Sequence, residues 1–282
     1  MRANEPEMHA TRRSFLRGSL AAAGIALMPA ARGQGQADVE QPGGGFRFLP
    51  GGTVFAGGAV AQPGFEIVHA VLKPWLELDQ GYALVERHLA REGRSMRALC
   101  GMELRLPRQL SMDEFRAFNQ PYVQRLIQWG LLVDGRNPVS RTNVAPALEP
   151  PESPSLHGFS YTMPTTSAGT TFVMSGITEL GLGGRPVAAG DTSVAGMREK
   201  VSFVIGAVRN RLRELGVTFR DATQVEFYAA ESVEAVLSQL LLPAIEEPAR
   251  RGLRWHFGRP PVAGVEVELE ARAAAREILL RD

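Results

Sequence analysis

Near its end the chain reads Gly258-Arg259-Pro260-Pro261-Val262 and then Val265-Glu266-Val267-Glu268-Leu269-Glu270-Ala271. The alternation of apolar and acidic residues in the second stretch is typical of a half-buried β-strand, on which Glu266, Glu268 and Glu270 share one face. An arginine can bind a carboxylate through two parallel hydrogen bonds, and a nearby glutamate can polarise a water. The two stretches therefore predict a small-molecule site that uses Arg259 and an acidic side chain.

The N-terminal segment is typical of an export signal. Twin arginines, Arg12 and Arg13, precede an apolar run from Leu20 to Met28, and small residues follow. This order is that of a Tat-type signal peptide, and the run is about half of the roughly 20 apolar residues that span a bilayer. Residues 1–37 are interpreted as a signal peptide of the Tat route. This predicts a periplasmic protein with no membrane segment after the signal is removed.

Charge and residue types argue against several functions. The net charge is +1, with 31 Lys and Arg against 30 Asp and Glu, and it offers no basic stripe for nucleic acid. The five histidines form no pair four residues apart and stand beside no cysteine cluster, so neither a metal site nor a cofactor is predicted. The single cysteine, Cys100, lies in an apolar run and is predicted to be buried and unreactive. The predicted partner is a small carboxylate-bearing molecule.

The chain after residue 37 repeats one order of elements. In each half a helical pattern stops at a glycine, Gly93 or Gly216, and a strand-like run with a glutamate follows, Glu103 or Glu226. Both pairs are 123 residues apart, which predicts a duplicated domain. The proline-rich stretch 146–154 is predicted to be the boundary between the two copies.

Periodicity predicts four helices and four of the strands. The helices are expected over 79–92, 111–129, 197–215 and 231–250, and the strands over 54–57, 98–106, 171–176 and 223–229. Each half then forms one twisted sheet with two helices on a single face. The predicted fold class is α+β, with one unit at 38–150 and a second at 151–282.

Five short motifs of the second unit stand in a family-like order: Phe159-Ser160-Tyr161, Phe172-Val173-Met174-Ser175-Gly176, Leu215-Gly216-Val217, the Arg-x-x-Val from Arg259 to Val262, and Val267-Glu268-Leu269-Glu270-Ala271. In this order they resemble the RidA/YjgF family of enamine/imine deaminases, over about residues 156–274. The resemblance implies tandem chorismate-mutase-like units, and it identifies the chain as an exported, tandem-domain member. It also implies a homo-oligomer with trimer-like packing of units and sites between neighbouring protomers.

The resemblance assigns roles to individual residues. Arg259 would bind the substrate carboxylate, and Glu270 would help position the water that hydrolyses an imine to a keto acid and ammonia. Ser175 and Tyr161 would line the pocket. Glu270 is favoured for this role because it directly precedes an alanine, as the glutamate of the family does. Whether Glu268 or Glu270 faces the pocket stays open. Because an imine carbon is electrophilic, holding and polarising one water removes most of the barrier.

The first unit matches the family less well. It keeps Pro138-Val139-Ser140-Arg141-Thr142-Asn143-Val144, close to the family's Pro-Ala-Arg-Thr-x-Val, and Phe118-Asn119-Gln120-Pro121-Tyr122, close to Phe-Asn-x-x-Tyr. Ala56-Gly57 stands where the family has Ser-Gly, and prolines follow where a glutamate-bearing strand is expected. The first unit is therefore expected to be a degenerate partner, in which Arg141 binds an anion without an attached general base.

Three functions follow from these patterns. The first is hydrolytic deamination of a small carboxylate-bearing enamine or imine. The second is binding of 2-keto acids or related metabolites without turnover. The third is a chorismatase-like hydrolase, because tandem units of this fold also occur there. Chorismate is dianionic, so the third function needs Arg141 and Arg259 near one pocket.

Overall fold

The computed structural model describes residues 38–281. The predicted signal peptide, residues 1–37, lies outside the described residues. Within 38–281, none of the helices combines the length and the apolar character needed to cross a membrane.

The described chain consists of short strands and a smaller number of helices. The strands are β1 (Val39–Gln41), β2 (Phe46–Leu49), β3 (Gly58–Ala61), β4 (Phe65–Glu77), β5 (Leu99–Arg105), β6 (Ser140–Pro146), β7 (Ser155–Pro164), β8 (Phe172–Met174), β9 (Ile177–Thr178), β10 (Gln224–Tyr228), β11 (Arg254–His256), β12 (Gly258–Arg259), β13 (Glu268–Ala273) and β14 (Arg276–Leu280). The helices are α1 (Leu78–Arg91), α2 (Met112–Gln128), α3 (Val194–Glu214), α4 (Glu234–Val236) and α5 (Leu242–Ile245), with a π-helical turn, Leu237–Leu241, between the last two.

The first three helices agree with the sequence predictions, and the fourth does not. Ser111 and Glu114 form a capping box that begins α2, and Ser193 caps α3 through the backbone N–H of Gly196. The single helix predicted over 231–250 is wrong, because the helical segment is interrupted by the π-helical turn and α5 ends at Ile245. Pro248 lacks the N–H that a continued helix needs.

The strands form two sheets. Sheet A has the order β1-β2-β3-β8-β13-β10-β11, with β9 beside β13, and sheet B has the order β12-β6-β5-β7-β4-β14. Helix α3 and the α4–α5 segment pack with sheet A in one apolar cluster, while α1 and α2 pack with sheet B in another. The α+β class is therefore confirmed, with two helical segments on one face of each sheet.

Both sheets take strands from both sides of residue 150. Strand β7 lies between β4 and β5 in sheet B, and β3 pairs with β8 in sheet A through Gly58 and Met174. The division into sheets thus differs from the predicted units 38–150 and 151–282, whose boundary stays a prediction about domains. The strand predicted over 54–57 is wrong, because the N–H groups of Ala56 and Gly57 donate to Val139 and Leu49 and the strand begins only at Gly58.

The inner faces of the two sheets meet in a core that is part apolar and part charged. Phe46, Phe48 and Cys100 belong to the apolar part, and burial raises the pKa of the Cys100 thiol, as expected of an unreactive cysteine. On β13 the side chains alternate. Leu269 and Ala271 pack with the helices of sheet A. The charged residues that alternate with them, Glu268, Glu270 and Arg272, face sheet B.

Candidate active site

A buried ionic network around Arg272 joins the two sheets. The Arg272 guanidinium lies 3.1 Å from Glu103 Oε1, 2.5 Å from Glu226 Oε1 and 3.1 Å from Glu270 Oε1. Glu103 belongs to sheet B and the other three residues to sheet A, so the ion pairs cross between the sheets. The sequence analysis missed Arg272, although its position two residues after Glu270 on an alternating strand places it on the same face.

The three carboxyl groups of this network differ in protonation. Burial raises the pKa of Glu270 well above its usual range, and the charges of Glu103 and Glu226 raise it further. Burial acts on Glu226 too, but Arg272 and His256 outweigh it and hold the pKa of Glu226 well below its usual range. Glu270 therefore holds a proton more readily than Glu226 does. One oxygen from each carboxylate lies within 4.8 Å of the others, close enough to share a cation, and the Arg272 guanidinium supplies that charge.

Glu270 and Arg141 line the same small cavity. The Thr142 hydroxyl donates to Glu270 Oε2, and the Tyr228 hydroxyl lies 3.2 Å from Glu270 Oε1. The cavity that Glu270 and Thr142 help to line measures about 10 Å³. This is about the space that one water needs.

A second buried polar group, the Arg141 cluster, consists of Phe55, Phe115, Asn119, Tyr122 and Arg141. The Arg141 Nη2 atom donates to Asn119 Oδ1 at 2.6 Å. Its guanidinium carbon lies 4.6 Å from the ring centroid of Tyr122 and 5.8 Å from those of Phe55 and Phe115. Arg141 is only 5% exposed, and among the described residues its Nη1 has no hydrogen-bond partner. A buried guanidinium with an unused N–H is a site for an anion.

Glu268 lies against the segment that holds Arg141. Its Oε1 is so close to Gly176 that a Cβ at that position would overlap the carboxylate, so only glycine fits there. The preceding residue, Ser175, accepts the backbone N–H of Arg141 at 2.9 Å and donates to the Ala56 carbonyl at 2.6 Å. The backbone of Arg141 and the carboxyl group of Glu268 therefore contact the same short segment, and the charges of the two side chains influence each other's pKa.

The environment of Glu268 keeps its carboxyl group neutral over much of the pH range. Burial raises its pKa to about 8, with Arg105 and Arg141 lowering it and Glu179 raising it. Glu268 is 3% exposed, and within the described part of the chain its Oε2 has no hydrogen-bond partner. A carboxyl group that titrates near neutral pH can act as both acid and base.

The start of β13 is fixed by a buried ion pair that the sequence analysis did not predict. Glu179 accepts the backbone N–H groups of Glu266 and Val267 at 2.6 and 3.1 Å. Lys200 Nζ lies 3.5 Å from Glu179 Oε1, and both side chains are fully buried. Because Glu268 follows directly, this clamp fixes the direction in which its side chain leaves the strand.

The other residues predicted for the site lie elsewhere. Arg259 is part-exposed and pairs with Glu231 at 2.7 Å and with Glu266 at 3.5 Å, whereas the ion pair of Glu270 is with Arg272. Within the described residues, Arg259 and Glu270 are therefore not an ion pair. Tyr161 is buried on the helix side of sheet B, with its hydroxyl 2.9 Å from His88 Nε2. Its position is that of a core residue.

The hydrogen bonds of Ser175 allow a test of its role. We expect Ser175→Ala to lower the free energy of unfolding by about 2 kcal/mol, because it leaves the buried N–H of Arg141 and the carbonyl of Ala56 without a partner. Urea denaturation measures the change, and Ser153→Ala, at a half-buried serine bonded to the exposed Glu77, is the matched control. An unchanged stability with a raised KM would instead indicate that Ser175 contacts the substrate.

Comparison with known proteins gives a consistent family. Residues 38–278 match the family described as 2-aminomuconate deaminase CnbZ. A curated relative, 2-amino-5-chloromuconate deaminase of Comamonas testosteroni, is 39% identical over 249 residues, which cover 84% of this chain and 96% of the relative. Similar solved structures include a chorismatase (TM-score 0.40, 14% identity, 77% of each chain) and a Rid-family protein of unknown function from Yersinia pestis (TM-score 0.28, 19% identity, 40% of this chain and 83% of that one). The chain belongs to the 2-aminomuconate deaminase family.

Proposed function

We propose that this protein hydrolyses a 2-aminomuconate-type dicarboxylate to an oxo acid and ammonia. Membership of the family supports deamination as the class of reaction. The site is supported by two buried groups that contact the Ser175–Gly176 segment. Arg141 contacts it through its backbone N–H and has an unused guanidinium N–H, and Glu268 contacts it through a carboxyl group with a raised pKa. The predicted division of labour, an arginine for the carboxylate and a glutamate for the water, is thus retained with different residues.

Arg141 would bind the carboxylate next to the reacting carbon. Its Nη1 has an N–H that is free to donate to an anion. The aromatic rings of the cluster exclude water, which strengthens a charge-assisted hydrogen bond. Asn119 holds Nη2 and therefore limits the rotation of the guanidinium. A substrate carboxylate would also neutralise the buried positive charge of Arg141, which has no ion pair within residues 38–281.

Glu268 would act as the acid and then as the base. In its neutral form it gives a proton to the enamine, which favours the iminium tautomer and makes the carbon electrophilic. The resulting carboxylate takes a proton from the attacking water as the C–O bond forms. Glu268 then gives this proton to the nitrogen, and the C–N bond breaks with its electrons going to nitrogen. The new hydroxyl group returns a proton to Glu268 as it becomes the carbonyl, and ammonia leaves. A group that titrates near pH 8 can take both roles at neutral pH.

The competing arrangements make different demands on Arg259. The pair Arg259 and Glu270 would need the ion pair to Glu231 to open before a substrate carboxylate could bind. A chorismatase-like hydrolase would need Arg141 and Arg259 at one pocket. Arg141 is surrounded by aromatic rings, whereas Arg259 is part-exposed and pairs with carboxylates. Binding without turnover would leave no task for the raised pKa of Glu268.

The direct test measures ammonia release from 2-aminomuconate and from 2-aminoacrylate. We expect the wild-type protein to release ammonia from 2-aminomuconate, with a higher kcat/KM than for the smaller monocarboxylate. Arg259→Met is expected to change kcat/KM by less than about tenfold, since the contacts of Arg259 are with part-exposed protein carboxylates.

Two results would contradict this proposal. Binding of 2-keto acids by calorimetry without ammonia release from either enamine would support a binding protein. A loss of activity in Arg259→Met that equals the loss in an Arg141 variant would return the carboxylate site to Arg259.

A further inference from the structure

A continuous series of polar contacts runs from the surface to Glu270. The His256 side chain is 32% exposed, and its Nε2 lies 3.1 Å from Glu226 Oε2. The Tyr228 hydroxyl lies 2.7 Å from the same oxygen and 3.2 Å from Glu270 Oε1. The Thr142 hydroxyl bonds the other oxygen of Glu270. We call these five residues, His256, Glu226, Tyr228, Glu270 and Thr142, the His256 relay.

Strand pairing holds the relay in place. Tyr228 and His256 are register partners on β10 and β11, and their rings stack with centroids 4.7 Å apart. Glu226 and Glu270 are register partners on β10 and β13. The link between Glu226 and Tyr228 lies within β10, the other links inside sheet A join neighbouring strands, and the last link, to Thr142, crosses to sheet B.

The inner end of the relay reaches the proposed acid. The Thr142 hydroxyl accepts the backbone N–H of Gly176 at 3.2 Å, and Gly176 is the residue against which Glu268 Oε1 packs. Thr142 and Glu268 thus flank the same residue. A water bound beside Gly176 would complete the path from the Thr142 hydroxyl to Glu268.

We propose that the His256 relay returns to the active site the proton that leaves with each ammonium ion. This inference rests on the proposed function. Hydrolysis of the imine adds water, breaks the C–N bond and frees ammonia, which takes up one proton at neutral pH. That proton comes from Glu268, so a proton from solvent must replace it before the next turnover. His256 accepts it from water, because it is the residue of the relay that solvent reaches. It then passes through Glu226, Tyr228, Glu270 and Thr142.

The carboxyl groups around Arg272 let the proton move along the relay. Three carboxylates this close cannot all ionise without strong repulsion, and one guanidinium compensates only part of it. When Glu270 gives up its proton, its new charge raises the proton affinity of Glu226, which then takes the proton from His256. The Tyr228 hydroxyl passes it on by donating to Glu270 while accepting from Glu226.

The test follows exchange of the Glu270 proton in the resting protein, without substrate. The infrared band of the protonated Glu270 carboxyl, assigned by its loss in Glu270→Gln, is followed after transfer into D2O. We expect His256→Ala to slow its exchange by about tenfold or more, and imidazole added to the buffer to restore it. In Tyr228→Phe the exchange is also slow, and imidazole does not restore it, because the break lies inside the protein.

The matched control is His157→Ala, at a second histidine on the edge of the network, 3.7 Å from Glu103 and outside the relay. Its exchange is expected to stay fast. Exchange at the wild-type rate in His256→Ala, or equal slowing in the control, would overturn the relay whether or not the protein deaminates. If ammonia is released, the kcat of His256→Ala should fall by about tenfold and recover with imidazole, while KM changes little.

Discussion

Replacing Glu268 by glutamine is expected to lower kcat for ammonia release by about 100-fold to 10,000-fold, the range that a positioned acid–base group contributes. Glutamine keeps the size of the side chain and its place against Gly176, but it cannot give or take the proton. Steady-state ammonia release at saturating 2-aminomuconate measures the effect, and a thermal melt verifies the fold. Because the glutamine buries no titrating group, the variant should be at least as stable as the wild type above pH 8.

The pH dependence gives an independent check on Glu268. The protonated carboxyl is the acid, so the rate should fall as the pH rises through about 8, and this limb should vanish in Glu268→Gln. Glu266→Gln, on the same face two residues earlier, is the matched control and should keep both the rate and the limb. A wild-type activity in Glu268→Gln together with a large loss in Glu270→Gln would assign the acid to Glu270.

Replacing Arg141 by methionine is expected to lower kcat/KM by about 100-fold or more. Removing one partner of a buried, hydrogen-bonded charge pair costs about 2–5 kcal/mol, and about 3 kcal/mol corresponds to a factor of 100 or more. Methionine fills the space among the aromatic rings, so the fold should persist while the substrate carboxylate loses its cation. Arg141→Lys keeps the charge but loses the planar guanidinium, so its kcat/KM should lie between that of the wild type and that of Arg141→Met.

The substrate preference separates a lost anion site from a damaged fold. If Arg141 binds the carboxylate next to the reacting carbon, the loss should be similar for 2-aminomuconate and for 2-aminoacrylate, which share that group. An intact melting temperature with unchanged kcat/KM for both substrates would remove Arg141 from the site.

Part of this site could be read from the sequence and part could not. The alternation of β13 predicted that Glu268 and Glu270 share one face, and it would have placed Arg272 there too. The family motif around Arg141 marked it as an anion-binding residue. The contact of Arg141 with Ser175 joins two motifs from different halves of the chain, and local periodicity carries no information about which strands pair. The choice between Glu268 and Glu270 depended on that pairing.

The fold shows the same limit. Helix α3 followed from its apolar stripe and its terminal glycine, because both signals are local. The insertion of β7 between β4 and β5 did not follow, since β7 is separated in sequence from both neighbours. The alternation at the end of the chain predicted a half-buried strand, which is wrong for β13, because sheet B covers its charged face and all six residues are buried. It did not establish which sheet each face of the strand would pack against.

The sharing of strands between the two halves also constrains how the chain reaches its native state. Strands β4 and β5 of sheet B lack their common neighbour until β7, Ser155–Pro164, has left the ribosome. The first half of the chain therefore cannot complete this sheet before part of the second half is made. Such distant pairings slow folding. Separating the chain at the proline-rich stretch 146–154 would leave two fragments with open sheet edges.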